Sequence, residues 1–153
     1  MHYAGMKTKA IAPHTESTVL EFLEAATRLQ RRLDHALSNI RGISFSEYRL
    51  LRALAGAQDD GFPRIDLANA VGLTASAVTR ALKPLEKLGY VRTERSERDA
   101  RQSRAVITSA GCELLKDSDS ILHDTLSYLP LNALSARKVE EFQARLNEMT
   151  TSK

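Results

Sequence analysis

The 153-residue chain contains no tryptophan, one cysteine and only eight other aromatic-type side chains, four Tyr and four Phe. A core without tryptophan and with few rings must be built from Leu, Ala, Val and Ile. With Cys112 alone, an internal disulfide is excluded, and a reducing compartment fits. No apolar run approaches the roughly 20 residues of a membrane span. The N-terminal stretch has no secretory hydrophobic region, so a cytoplasmic location without membrane partners is expected. Enzymatic signatures are also missing. There is no Gly-rich phosphate loop, no carboxylate pair in an apolar setting and no Ser/His/Asp arrangement, so neither catalysis nor a cofactor is expected.

Positive charge, by contrast, is concentrated. The chain carries +3 overall, yet residues 74–104 hold eight basic and four acidic side chains and so carry +4. The remainder sums to −1. Such asymmetry points to an anionic partner, most often nucleic acid. Within this segment arginine recurs at 92, 95, 98, 101 and 104. A spacing of three matches neither a helix face nor a strand face. It suits instead two short strands and their connecting loop, a ribbon that carries cations along and around it, with acids between to limit self-repulsion.

Apolar positions from Val19 to Ile40 follow the alternating three-and-four spacing of a long amphipathic helix over Glu16 to about Ile40, ended by Gly42. Ser44-Phe-Ser-Glu47 has the form of a capping box, with Ile43 and Tyr48 placed as a hydrophobic staple, and predicts a second helix to about Ala57. Residues 57–63 read as a loop. Arg64 to Val71 fits a short third helix, and Thr74 caps a fourth, whose buried face is Val78, Ala81, Leu82, Leu85 and Leu88. Pro84 inside it predicts a kink or tightening, and Gly89 a left-handed end. Tyr90–Arg95 and Ser103–Thr108 have strand character around a polar loop. Ser109 is expected to cap a helix to about Leu129, stopped by Pro130, and Ser135 a last helix to about Met149.

Residues 64–83 match a DNA-binding helix-turn-helix. Leu67 and Val71 face its core, Ala68 permits a close crossing, and Gly72 makes the turn. That leaves Ala75, Ser76, Thr79, Arg80 and Lys83 outward on the second helix, with Lys87 further on. Such side chains near a helix N-terminus reach base edges in a major groove, and the positive helix end favours phosphate. Arg64, Arg95, Arg98 and Arg101 are the further candidate DNA contacts.

A helix-turn-helix followed at once by a two-stranded hairpin is a winged helix. With one long helix before it and two after it, the order of "ISFSEYRLLRAL", "LANAVGLTASAVTRALKPLEKLGYV" and "RDARQSRAVITSAG" resembles the MarR family of bacterial transcription regulators over roughly residues 16–149. The expected fold is mainly α: a winged helix-turn-helix with a two-stranded β wing and long N- and C-terminal dimerisation helices. The resemblance implies a flexible arm over 1–15, dimerisation helices in 16–42 and 109–149, a DNA-binding lobe over 43–108 and a tail over 150–153. It implies that Arg101 enters a minor groove and that Asp99 positions the wing. It implies a homodimer, and a ligand pocket between the dimer helices and the lobe.

The residues themselves point the same way on assembly. The long helices carry wider apolar stripes than one small lobe can cover, and self-association buries them. The function expected is a repressor on a pseudo-palindromic operator, released by a small-molecule effector. The alternative is an architectural or protein-interaction winged helix without sequence choice. His35, Tyr48 and His123 are the candidate ligand contacts, the histidines suiting a small anionic aromatic. Two histidines without i,i+4 spacing or a cysteine partner do not make a metal site. Cys112 reads as a small buried hydrophobe rather than a redox sensor.

Overall fold

The computed structural model describes residues 12–57, 61–95 and 103–151. Six helices and a small sheet follow one another as α1 (Pro13–Arg41), α2 (Phe45–Gly56), β1 (Phe62–Pro63), α3 (Arg64–Val71), α4 (Ala75–Lys87), β2 (Val91–Arg95), β3 (Ser103–Ile107), α5 (Ser109–Ser127) and α6 (Ala136–Thr151). This is the mainly α winged helix expected from the spacing.

The local signals operate as chemistry requires. α1 begins at Pro13, three residues ahead of Glu16, because a proline at the first helical position sacrifices only a donor that has no partner there anyway. At the start of α2 both halves of the capping box form: Ser44 Oγ accepts from the Glu47 amide at 3.1 Å, and Glu47 accepts from the Ser44 amide at 2.6 Å. Ile43 and Tyr48 are each 3% exposed beside it. α3 ends at Gly72, whose φ of 62° is left-handed, and the Leu73 amide folds back onto the Ala68 carbonyl at 3.0 Å. Thr74 then caps α4 through the Ala77 amide. α4 stays continuous through Pro84 and leaves through Gly89 at φ 78°.

Four expectations are corrected. Phe62 and Pro63, expected within the loop over 57–63, form a short strand that pairs antiparallel with Ala105 and Arg104, so a third strand joins the two-stranded wing in the order β1-β3-β2. A two-residue strand has no alternation to read, and Pro63 suits only a sheet edge. Thr108, not Ser109, caps α5: its hydroxyl accepts from the Gly111 amide at 3.1 Å and donates to the Gly89 carbonyl at 2.6 Å. Leu88 is 63% exposed, since the chain leaves α4 before that position turns inward. Cys112 is exposed. α5 buries Gly111, Leu114, Leu115, Ser118 and Leu122, a stripe that leaves position 112 to one side.

The core lies where α2, α3, α4 and the sheet meet α5 and the C-terminal half of α1. Leu37, Leu50, Leu51, Leu54, Leu67, Val78 and Leu82 are fully buried there. Each such side chain contributes about 1.5–3 kcal/mol of transfer free energy. Polar links tie the lobe to the long helices: the Phe45 amide donates to Asp34, Arg41 pairs with Asp117 at 3.1 Å, and the Tyr48 hydroxyl donates to Asp119 at 2.8 Å. No described helix is long and apolar enough to cross a membrane.

Candidate nucleic-acid interface

The outward face of α4 forms because its inward face is occupied. Val78, Leu82 and Leu85 are buried, with Ala81 half-buried between them, and this spacing turns Ala75, Ser76, Thr79, Arg80 and Lys83 to solvent. All five are exposed, and among the described residues neither Arg80 nor Lys83 has an ion pair. Free cations and hydroxyls beside a helix N-terminus, with Thr74 already capping one amide, can donate to phosphate oxygens and pair with base edges.

The wing strands stand beside this face. β2 and β3 pair from Val91 with Ile107 to Arg95 with Ser103. The root is buried, with Val91 2% and Ala105 0% exposed, whereas Arg95 at the far end is exposed. Arg92 is tied to Glu94 at 2.6 Å on the same strand. Arg104 is half-buried across from Glu94, and its Nε has no hydrogen-bond partner among the described residues. Arg98, Asp99 and Arg101 lie outside the described residues, as do residues 1–11, 58–60 and 152–153.

Arg64 sits differently from the other candidates. Its guanidinium donates to Glu86 at 2.7 Å and to the Thr93 hydroxyl at 3.1 Å, so it is engaged within the lobe. Glu86 is one of the four acids in the basic segment 74–104, and its partner Arg64 lies 22 positions away.

The candidate ligand residues are dispersed in character. His35 is exposed on α1 and shares a hydrogen bond with Asn39, and His123 is exposed on α5. Tyr48 is buried, stacked on Phe45 with ring centroids 6.0 Å apart. Burial, and then its hydrogen bond to Asp119, push the phenol from 10.0 up to about 12. Among the described residues no group of three or more His, Cys, Asp or Glu side chains could hold a metal ion.

A cavity of about 480 Å³ opens between α1, the start of α2 and the helix-turn-helix turn, in the region where the resemblance implied a ligand pocket, with none of His35, Tyr48 or His123 in its lining. Thr27, Gln30, Arg31 and Asp34 line one side, Phe45 and Arg49 the other, and Gly72 and Leu73 its floor. Arg49 lies over the Phe45 ring at 5.9 Å and donates to the Val71 carbonyl, which closes the end of α3.

Residues 41–102 match the family model described as MarR family. Among solved structures the chain is similar to Sco3205, a MarR family transcriptional regulator from Streptomyces coelicolor in complex with DNA, at 25% identity and a TM-score of 0.82 over 92% of this chain and 91% of that one. It is similar in fold to AbsC, a MarR family transcriptional regulator from the same organism, at 22% identity and a TM-score of 0.79 over 93% and 95% of the two chains. The S. aureus MepR–DNA complex aligns at 24% identity and a TM-score of 0.75 over 88% and 97%. Among curated proteins none matches.

Proposed function

We infer that this chain, whose residues 41–102 match the MarR family model and whose fold is similar to that of MarR family regulators along nearly its whole length, is a sequence-specific transcription regulator that acts as a homodimeric repressor and is released by a small ligand. The observation that carries this reading is the outward face of α4: Ser76, Thr79, Arg80 and Lys83 exposed, two of them cations without an ion pair among the described residues. Base-edge contacts come from Ser76, Thr79 and Arg80, phosphate contacts from Lys83 and the helix end, and wing contacts from Arg95, Arg98 and Arg101. The DNA complexes of Sco3205 and MepR support this role for the fold.

Uncovered apolar surface supports the dimer. Among the described residues α6 buries none, and Leu20, Leu23, Leu131, Val139, Phe142 and Met149 are 41–62% exposed. A second copy covers these faces and sets two α4 helices about one DNA turn, roughly 34 Å, apart, which calls for a pseudo-palindromic site. The cavity between α1 and the turn before α4 supports the ligand step. A molecule seated there touches both the dimer helix and the recognition helix's entry, so its differential affinity for two α4 spacings sets how far DNA binding falls.

The test is to select duplexes from a random pool, then measure stoichiometry by sedimentation and the footprint by chemical probing. Two chains per duplex over two half-sites one turn apart support the reading. One chain per duplex, or no enriched sequence, overturns it. Small anionic aromatics are titrated against the bound duplex, and an unchanged affinity at saturation removes the ligand step alone.

A further inference from the structure

Arg64, Glu86 and Thr93 close a polar triangle between three elements of the lobe. Arg64 opens α3, Glu86 lies in the last turn of α4, and Thr93 is the middle residue of β2. Arg64 Nη2 donates to Glu86 Oε1 at 2.7 Å and to Thr93 Oγ1 at 3.1 Å, and the Thr93 hydroxyl donates to the same Glu86 oxygen at 2.6 Å. A threonine hydroxyl has one proton and two lone pairs, so this position uses it both as donor and as acceptor. The Arg64 and Glu86 side chains keep only 31% and 28% of their exposure.

Two consequences follow for anything that grips DNA with both α4 and the wing. Glu86 is the one acid on α4, and unpaired it would repel a phosphate backbone; Arg64 neutralises it in place. The second consequence is geometric. β2 is buried at Val91 and exposed at Arg95, where it pairs only with β3, and Thr93 lies between them, so its side chain helps fix the inclination of the outer wing against the recognition helix. Arg95 lies two residues, about 7 Å, beyond that point. A tilt released at Thr93 therefore moves the wing tip while leaving α4 where it was.

We propose that Arg64, Glu86 and Thr93 form a clamp that holds the wing at a set angle to the recognition helix, and that Arg64 is a positioning residue for DNA recognition rather than a phosphate contact. The clamp rests on the DNA-binding reading above. Its effect is on specific binding, where helix and wing must engage together, and not on binding through phosphates alone.

The experiment uses the full chain, a duplex enriched from a random pool and a scrambled duplex, by fluorescence anisotropy across about 50 to 200 mM salt. Thr93→Val removes the hydroxyl without changing shape or charge. It is expected to weaken the enriched duplex about threefold to tenfold, the scale of a partly exposed charge-assisted bond, with the scrambled duplex changed by less than about twofold. Thr93→Ser, which keeps the hydroxyl, restores wild-type binding. Arg64→Ala made together with Glu86→Gln, which leaves no unpaired acid on α4, weakens the enriched duplex by a similar factor with an unchanged salt slope. Adding Thr93→Val to that pair weakens binding no further, because all three act in one network. If the Arg64→Ala, Glu86→Gln pair instead lowers the slope by about 0.9, the value of one phosphate contact, while Thr93→Val binds as wild type does, the clamp is overturned. Equal losses on both duplexes for Thr93→Val, unrescued by Thr93→Ser, overturn it as well. A wild-type chain that binds both duplexes alike overturns the recognition reading itself, and the clamp's role with it.

Discussion

Gly111 is the place where α5 starts against the turn between α4 and β2, and replacing it with alanine tests that packing. A Cβ on Gly111 would overlap the Tyr90 carbonyl oxygen and lie 2.8 Å from Ile107 Cγ1. That carbonyl already accepts from the Thr108 amide at 3.0 Å, and the Thr108 hydroxyl bridges the Gly89 carbonyl and the Gly111 amide. The nearest neighbour is backbone held by these bonds, with the Ile107 side chain beside it, so there is little freedom to yield. Overpacking costs about 1–3 kcal/mol. Stretching the bonds at Thr108 costs about 1 kcal/mol more, and the helix preference of alanine over glycine returns about 1 kcal/mol. The net loss is about 1–3 kcal/mol, or roughly 3–10 °C in Tm for a chain of this length. Gly56→Ala is the control: it lies in α2, with nothing within 4 Å of its Cβ, and gains about 0.5–1 kcal/mol. Thermal unfolding by circular dichroism, at one protein concentration, compares the two. If Gly111→Ala is as stable as Gly56→Ala, α5 does not pack on the α4–β2 turn as described.

Tyr48→Phe removes the bond to Asp119 and should cost about 1 kcal/mol near neutral pH. Because the folded phenol is raised to about 12 from 10.0, that contribution is whole below pH 10 and is lost as pH rises through 12. The wild-type minus Tyr48→Phe stability difference should therefore shrink between pH 10 and 12, and a difference that holds constant there would contradict the raised phenol. Phe142 is 41% exposed and meets Phe22 edge-on at 6.2 Å between centroids. Phe142→Ala should weaken self-association at least about tenfold in sedimentation equilibrium, the loss of one interface anchor, and an unchanged dimer would place the interface elsewhere. Ser44→Ala should cost about 1 kcal/mol, seen as a drop of a few degrees in Tm, since the α2 cap is lost; no change would mean that Glu47 alone sustains the cap.

What could be read from the residues was local, and what could not was tertiary. The bounds of α3 and the cap at Thr74 follow from signals within four residues of themselves, and the structure has both. Thr108 and Ser109 are adjacent hydroxyls with equal claims to cap α5. The choice falls to Thr108 because its side chain also reaches the Gly89 carbonyl, 19 residues away. β1 has two residues and exists only because β3 offers an edge. At the candidate interface, the solvent-facing side of α4 was legible because it is the complement of an apolar stripe. Arg64 was legible as a cation but not as a partner of Glu86 and Thr93, which lie 22 and 29 positions away. The same limit hid Asp119 from Tyr48, 71 positions apart, and the lining of the cavity, which the family resemblance located only as between the dimer helices and the lobe. Cys112 illustrates the opposite error: a small apolar-seeming side chain one step off a buried stripe is exposed.

The most direct measurement is the ratio of affinities for the enriched and scrambled duplexes, by anisotropy at several salt concentrations, for wild type, Arg80→Ala and Lys83→Ala. A regulator that reads sequence through α4 should prefer the enriched duplex by about a thousandfold or more. Arg80→Ala should reduce that ratio by about 1–3 kcal/mol of discrimination, and Lys83→Ala should weaken both duplexes alike and lower the salt slope by about 1. If wild type and both variants bind the two duplexes with one affinity, the exposed face of α4 does not read sequence, and the account fails at its centre.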